Sequence, residues 1–162
     1  MLLSNCGDHR ETKDISTFDW SVFSDNLRDS LVYMKGKHIP NSVAGVDAHE
    51  PVDFSKLQWI LKNSSIKQLE LLLLNHSDGV MKGIALKGLV RKKAPSLFEY
   101  FKYAFKQEIC VLYYSTGSKL GGYALYLINY DVRDPSNLSI YFDKNQTIEI
   151  ERIIEGKDFK CD

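Results

Sequence analysis

From residue 53 to residue 107 the chain admits little besides short helices packed on one another. Apolar side chains recur three and four residues apart, and polar breaks with capping chemistry interrupt them repeatedly. From Asp53 to Lys62, the residues Phe54, Leu57, Trp59, Ile60 and Leu61 are apolar, and Asn63-Ser64-Ser65 ends the run. Ser65 and Gln68 then have the spacing of a capping box, opening a helix that continues through Leu69 and Leu71 to Leu74. A turn follows at Asn75-His76-Ser77-Asp78-Gly79, where Ser77 or Asp78 can cap a third helix running to Lys93. Pro95 suits the first turn of a fourth, in which Leu97, Phe98, Phe101, Ala104 and Phe105 share one face. Four short helices joined by tight turns form an array of αα-hairpins.

The flanks read differently. Trp20, Phe23, Leu27, Leu31 and Met34 form one apolar stripe, so residues 17–35 are expected to be helical, with Thr17 or Asp19 as cap and Gly36 as stop. Pro40, Gly45 and Pro51 punctuate a loop over 37–51. Beyond Gln107, Ile109 to Tyr114 is β-branched and aromatic and favours a strand. Residues 123–130 fit helix and strand equally well. Residues 138–142 and 147–153 are compatible with a hairpin around Asp143-Lys144-Asn145-Gln146, yet Ile150, Ile153 and Ile154 also suit a helix.

A chain of 162 residues needs one core and no covalent staple. With 44% hydrophobic and 26% charged residues it has the composition of a folded domain, which argues against a disordered chain, and it holds no apolar run long enough to span a membrane. The expected architecture is a polar N-terminal tether at 1–16 followed by a single domain at 17–162. Its fold class is mainly α (α+β), with helical hairpins at 53–107 and a smaller C-terminal part at 108–162 containing some β-strand.

Within the helical core, Met81-Lys82-Gly83-Ile84-Ala85-Leu86-Lys87-Gly88-Leu89-Val90 resembles the second helix of a HEAT-type repeat. In that helix an apolar residue and an Arg precede an Ala, then a small residue and a Leu. Met81, Lys82, Ala85, Gly88 and Leu89 stand at those places, with Lys for Arg. Leu69 to Leu74 followed by Ser77-Asp78 is similar to the first helix and turn. Small residues at 85 and 88 let a neighbouring helix come close. Gly83 and Gly88 each cost a helix about 1 kcal/mol relative to Ala, a cost that close packing would explain. Over residues 64–130 the chain also resembles HEAT-repeat-containing proteins of Bacteroidetes-type bacteria. That resemblance implies HEAT-like helical hairpins as a scaffold and no activity.

The opening Met1-Leu2-Leu3-Ser4-Asn5-Cys6 resembles the end of a bacterial lipoprotein signal, with Cys6 as the lipidated residue. Asn5 stands where Gly, Ala or Ser is usual, and a working signal needs about 7–15 apolar residues, so this reading requires a start upstream of Met1. It would tether the protein to the cell envelope through Cys6; an ordinary cytoplasmic N-terminus is the alternative. Cys6, Cys110 and Cys161 are far apart and form no CxxC pair.

Motifs of catalysis are absent. No HExxH, P-loop or GxSxG occurs, and Asp47, His49, Glu50 and Asp53 read as a solvated loop before a helix sooner than as a metal site. An enzyme would need a pocket joining His49, His76 or Asp78 to another polar group. Neither cofactor nor metal is implied. Charge is uneven: residues 51–107 carry 10 basic and 4 acidic side chains, a net of +6, between two flanks of −3 each. Overall neutrality weakens attraction to a phosphate backbone, so nucleic acid is a poor partner. Eight of nine tyrosines fall between Tyr100 and Tyr141, a residue type favoured at protein interfaces and in half-buried sheets alike.

The expected role is therefore a non-catalytic protein-interaction or accessory module. Candidate contact residues are Lys82, Lys87, Arg91, Tyr113, Tyr114, Tyr123 and Tyr126. The alternatives are an immunity-type inhibitor that neutralises a toxin, and a nucleic-acid-binding helical repeat using the +6 segment, whose lysines would then form one exposed stripe.

Overall fold

A computed structural model describes residues 18–37, 39–40, 52–107, 110–115, 118–123 and 141–154. These residues are mainly helical. The helices are α1 (Asp25–Met34), α2 (Val52–Asn63), α3 (Ile66–Asn75), α4 (Gly79–Arg91), α5 (Leu97–Lys106) and α6 (Lys144–Ile154). Three short strands, β1 (Ile39–Pro40), β2 (Cys110–Ser115) and β3 (Ser118–Tyr123), pair in the order β1-β2-β3. The β1 strand runs parallel to β2 with Ile39 opposite Tyr113; β3 is antiparallel, from Cys110 opposite Tyr123 to Ser115 opposite Ser118.

Helix α4 is the centre. Val80, Met81 and every residue from Gly83 to Val90 are buried. A helix covered on all sides must lie inside a fold, and α4 packs against α1, α2, α3, α5, β1 and β2. Its start is fixed by Asp78, whose Oδ1 accepts the Met81 N–H at 3.0 Å. Small residues set how near its neighbours come. A Cβ at Gly88 would stand 2.7 and 2.9 Å from the Leu69 methyls and 3.3 Å from a Leu61 methyl, so α3 and α2 both lean on that point.

The capping box at α3 forms as its spacing predicts. Ser65 N–H donates to Gln68 Oε1 at 2.8 Å, and Gln68 N–H donates to Ser65 Oγ at 3.2 Å. Gln68 Nε2 also donates to the Val22 carbonyl at 2.7 Å, fastening the N-terminal segment to α3. That segment departs from expectation: the helix predicted from residue 17 begins only at Asp25. Before it, Asp19 Oδ1 accepts the Ser21 N–H and Phe23 N–H closes a turn on the Trp20 carbonyl. Trp20 then packs edge to face on Phe18 and Phe23 at 4.7 and 5.2 Å, with Phe18 and Phe23 tilted at 5.8 Å, a cluster that a continuous helix would pull apart.

The α4 helix ends at Arg91, two residues before the predicted end. Lys93 N–H bonds the Val90 carbonyl and Ala94 N–H bonds the Leu89 carbonyl, both at 3.0 Å, which is the Schellman pattern. Lys93 occupies its left-handed position, at φ +50°. Two tyrosines fasten α5 to α3: Tyr100 Oη donates to the Glu70 carboxylate, and Tyr103 Oη donates to the Leu74 carbonyl at 3.3 Å. Burial first, then the Glu70 contact, pushes the Tyr100 phenol pKa upward.

At the C-terminal end the hairpin alternative for 147–153 does not form; this segment is α6. Asp143 and Gln146 make a second capping box, with Asp143 Oδ1 accepting the Gln146 N–H at 2.9 Å and Gln146 Oε1 accepting the Asp143 N–H at 3.1 Å. Ile150 is buried and Ile148 exposed. The Ile-Glu alternation thus follows the helical period, not the strand period. Phe142 packs on Phe101 at 5.1 Å and Phe98 at 6.0 Å, joining α6 to α5.

Overpacking costs about 1–3 kcal/mol, and replacing a helical Gly with Ala returns about 1 kcal/mol. Gly88→Ala is therefore expected to lower stability by about 1 kcal/mol in urea unfolding. Combined with Leu69→Val, which shortens the crowding side chain, the loss should fall below the sum of the single variants. Strict additivity would show that α3 and α4 do not meet at this point.

Candidate functional site

The three cations singled out from the sequence do not share a surface. At about 100° per residue Lys82 and Arg91 lie half a turn apart on α4. Lys87 is buried and has a partner. Lys82 Nζ approaches the Tyr103 hydroxyl at 3.5 Å and lies 5.6 Å from its ring centre, serving the α4–α5 contact. Arg91 donates to Gln58 Oε1 at 2.5 Å, and Lys92 Nζ donates to the Lys62 carbonyl at 3.4 Å. These side chains hold α4 to its neighbours. Of the tyrosines, Tyr113 and Tyr114 lie in β2 and Tyr123 in β3. Cys6, Tyr126, Asp47, His49 and Glu50 lie outside the described residues.

His76 and Asp78 are brought together, and both serve the α3–α4 turn. His76 is buried, with Phe18 at 5.0 Å and Trp20 at 5.8 Å from its ring. Its Nδ1 accepts the Asp78 N–H at 3.0 Å, which requires that nitrogen to be unprotonated. Burial lowers the His76 pKa from the ordinary histidine value; Asp78 opposes the shift, while Lys35 and Lys82 add to it. Among the described residues no group of three or more His, Cys, Asp or Glu side chains is placed to hold a metal ion.

The exposed aromatic surface lies elsewhere, on α1 and α2. Leu27, Leu31 and Met34 form the buried stripe of α1, and Tyr33 stands about 120° away from it on the side facing α2. Its hydroxyl donates to Asp53 Oδ1 at 2.8 Å. Two ammonium groups cover its ring, Lys37 Nζ at 3.2 Å and Lys56 Nζ at 4.3 Å from the centre. Lys37 also pairs with Asp53 at 3.4 Å. The Tyr33 contact and then Asp53 raise its pKa, against the effect of burial. On α2 the buried stripe is Leu57, Ile60 and Leu61. Val52, Lys56 and Trp59 fall on the opposite face, within an arc of about 60°. Val52 is 67% exposed, Trp59 40% and Tyr33 38%. Of the exposed large apolar side chains among the described residues, four belong to this helix pair, Val32 and Tyr33 on α1 and Val52 and Trp59 on α2.

Sequence reasoning missed this surface because Trp59 was grouped with the apolar residues of α2. A helical wheel carries the signal: Trp59 falls opposite Leu57, Ile60 and Leu61. Compared with known proteins, the chain matches no family model, no curated protein and no solved structure.

A histidine whose pKa is lowered by folding leaves the unfolded chain to bind the extra proton. The stability this His76 contributes is fully present above the ordinary histidine pKa and is lost as pH falls below it. Thermal unfolding between pH 7.5 and pH 5 should show this fall in the native protein. It should be smaller in His76→Asn, which keeps an acceptor for the Asp78 N–H. An equal fall in both would exclude His76 as the source.

Proposed function

We propose that the chain is a non-catalytic protein-interaction module, with α3–α4 as a HEAT-like scaffold and the α1–α2 face as the contact surface. The observation that carries this reading is the exposure of Tyr33 on α1 and of Val52 and Trp59 on α2, with the Tyr33 ring held by Lys37, Lys56 and Asp53. Tyr and Trp supply large contact area with few torsions to freeze, and such residues dominate binding energy at protein interfaces. Here the ring of Tyr33 is already immobilised by two cations and a hydrogen bond, so little conformational freedom remains to be lost on docking. The partner surface that complements it is apolar at the centre, with acidic groups facing Lys37 and Lys56.

The reading is supported by what the rest of the molecule does with its side chains. The α4 cations serve internal contacts, and the His76–Asp78 pair serves a turn. Among the described residues no helix is long and apolar enough to cross a membrane. A module of this kind tethered through Cys6 would meet its partner at the envelope. Intact mass of the membrane-fraction protein tests that part: a species beginning at Cys6 and bearing acyl chains is expected, and a soluble species retaining Met1 or Leu2 would end it.

Photo-crosslinking in the native cells tests the surface. A photoreactive residue at position 59 or 33 should give one discrete adduct, absent when the probe sits at Lys106 on α5. Trp59→Ala and Lys56→Glu should each weaken that adduct at least tenfold, as loss of an interface anchor does, with unfolding stability within about 0.5 kcal/mol of the native protein. Equal adducts from positions 59 and 106 would overturn the assignment of the face.

A further inference from the structure

The exposed row of α2 has cations on both sides. At about 100° per residue, Lys56 and Lys62 lie about 60° to either side of Trp59, each three residues away and so its neighbour on the helix surface. Gln58 lies on the Lys62 side, four residues before it, and there α4 adds two more charges. Arg91 donates to Gln58 Oε1 at 2.5 Å, and Lys92 Nζ donates to the Lys62 carbonyl at 3.4 Å. We propose that the contact surface continues across α2 onto this second basic edge, and that its partner is an acidic protein segment spanning both edges. Trp59 takes an apolar side chain of that segment, between Lys56 on one side and Lys62, Arg91 and Lys92 on the other. All of this rests on the α1–α2 face being the contact surface.

Charge is the first support. Neither 54–69 nor 79–98 contains an Asp or a Glu. Acids on the neighbouring helices are engaged: Asp53 with Tyr33 and Lys37, Asp25 and Asp29 with Arg28, and Glu70 with Tyr100. The partners of Arg91 and Lys92 are an uncharged amide and a backbone carbonyl, which fix the two cations in place and cancel neither charge. Lys62 is exposed, and its ammonium has no hydrogen bond or ion pair among the described residues. The ends of α2 and α4 answer part of this charge. Each helix C-terminus carries about half a negative charge, so two ends offset about one of the three cations and leave about +2 on the edge. Carboxylates of a partner are what complement it.

The choice of a protein over other polyanions follows from the aromatics. Single-stranded nucleic acid binds through successive rings on which its bases stack. Lys37 and Lys56 already lie over the Tyr33 ring, so that ring is no platform beside Trp59. A formal net charge of zero also weakens attraction from a distance to a phosphate backbone or an anionic bilayer. A protein segment, by contrast, can match a local basic edge and an apolar centre together.

Amide-resolved NMR titration of the full chain tests the partner's chemistry, with a sixteen-residue peptide repeating Glu-Leu-Glu-Glu as probe. Saturable shifts are expected at residues 56–63 and 91–92, with a Kd of about 0.1–1 mM in about 50 mM salt. The peptide with Gln for every Glu, oligothymidylate of about 16 nucleotides and phosphatidylglycerol vesicles should each bind at least about fivefold more weakly. Lys62→Gln combined with Lys92→Gln should weaken the acidic peptide about tenfold, with the melting temperature within about 2 °C of the native protein. The photo-adduct from position 59 reads the face independently. A retained adduct with peptide affinity unchanged in the double variant would leave the face standing and overturn the acidic partner. No adduct from position 59 would overturn both. Equal binding of the Gln peptide, tighter binding of the oligonucleotide or vesicles, shifts confined to other residues, or no saturation would each overturn the acidic partner alone.

Discussion

Everything in this fold leans on α4, and α4 can be leaned on because Gly88 has no side chain. With the Leu69 methyls within 3 Å of where a Cβ would stand, the axes of α3 and α4 are nearer than two Leu-faced helices could be. That proximity lets α2 close over the same point through Leu61. Burial then extends around the whole helix, and β1 and β2 pack on it as well. The glycine weakens the helix locally and strengthens the assembly, because the apolar surface removed from water by α1, α2, α3 and α5 outweighs one unfavourable helix residue.

A buried central helix also decides the fate of charge. The segment 51–107 is net positive, and a row of free cations there would be an anion-binding surface. Packing instead assigns most of these groups to neighbours. Lys92 reaches the last turn of α2, where a cation meets exposed carbonyls; Arg91 takes Gln58; Lys102 joins two glutamates. Lys56 covers an exposed tyrosine, and among the described residues Lys62, Lys67, Lys93 and Lys106 keep side chains with no hydrogen bond or ion pair. The regional sum of charges therefore says little about the surface. What matters is which cations the helix ends and neighbouring acids leave unclaimed.

Much of the helical part was legible because it rests on local rules. Ser65 with Gln68, and Asp78 before a helix, specify caps through spacing alone, and both caps form. The rest depends on contacts distant in sequence. Trp20 and Phe23 fit a helical stripe with Leu27 and Leu31, yet the pull of Phe18 and His76 folds them into a turn. The alternation from Ile148 to Glu151 fits a strand until the Asp143–Gln146 box commits the chain to a helix. Lys82, Lys87 and Arg91 read as contact candidates from residue type alone, yet packing gives each a partner within the fold. Trp59 is the opposite case, since its exposure could have been read from the wheel.

Gly88 and Lys93 sit on one helix and invert the usual placement of their residue types. Glycine normally ends a helix in the left-handed position, and a long side chain normally occupies the helix body. Here glycine is in the body and lysine at the left-handed end. Local propensity would favour exchanging them, so the reason for each must lie outside the helix. For Gly88 that reason is visible in the Leu69 contact. At Lys93 it is the turn itself: its N–H bonds the Val90 carbonyl and the chain leaves α4 for α5. A lysine there costs the turn some conformational stability relative to glycine, and the two Schellman hydrogen bonds hold it in that conformation nonetheless.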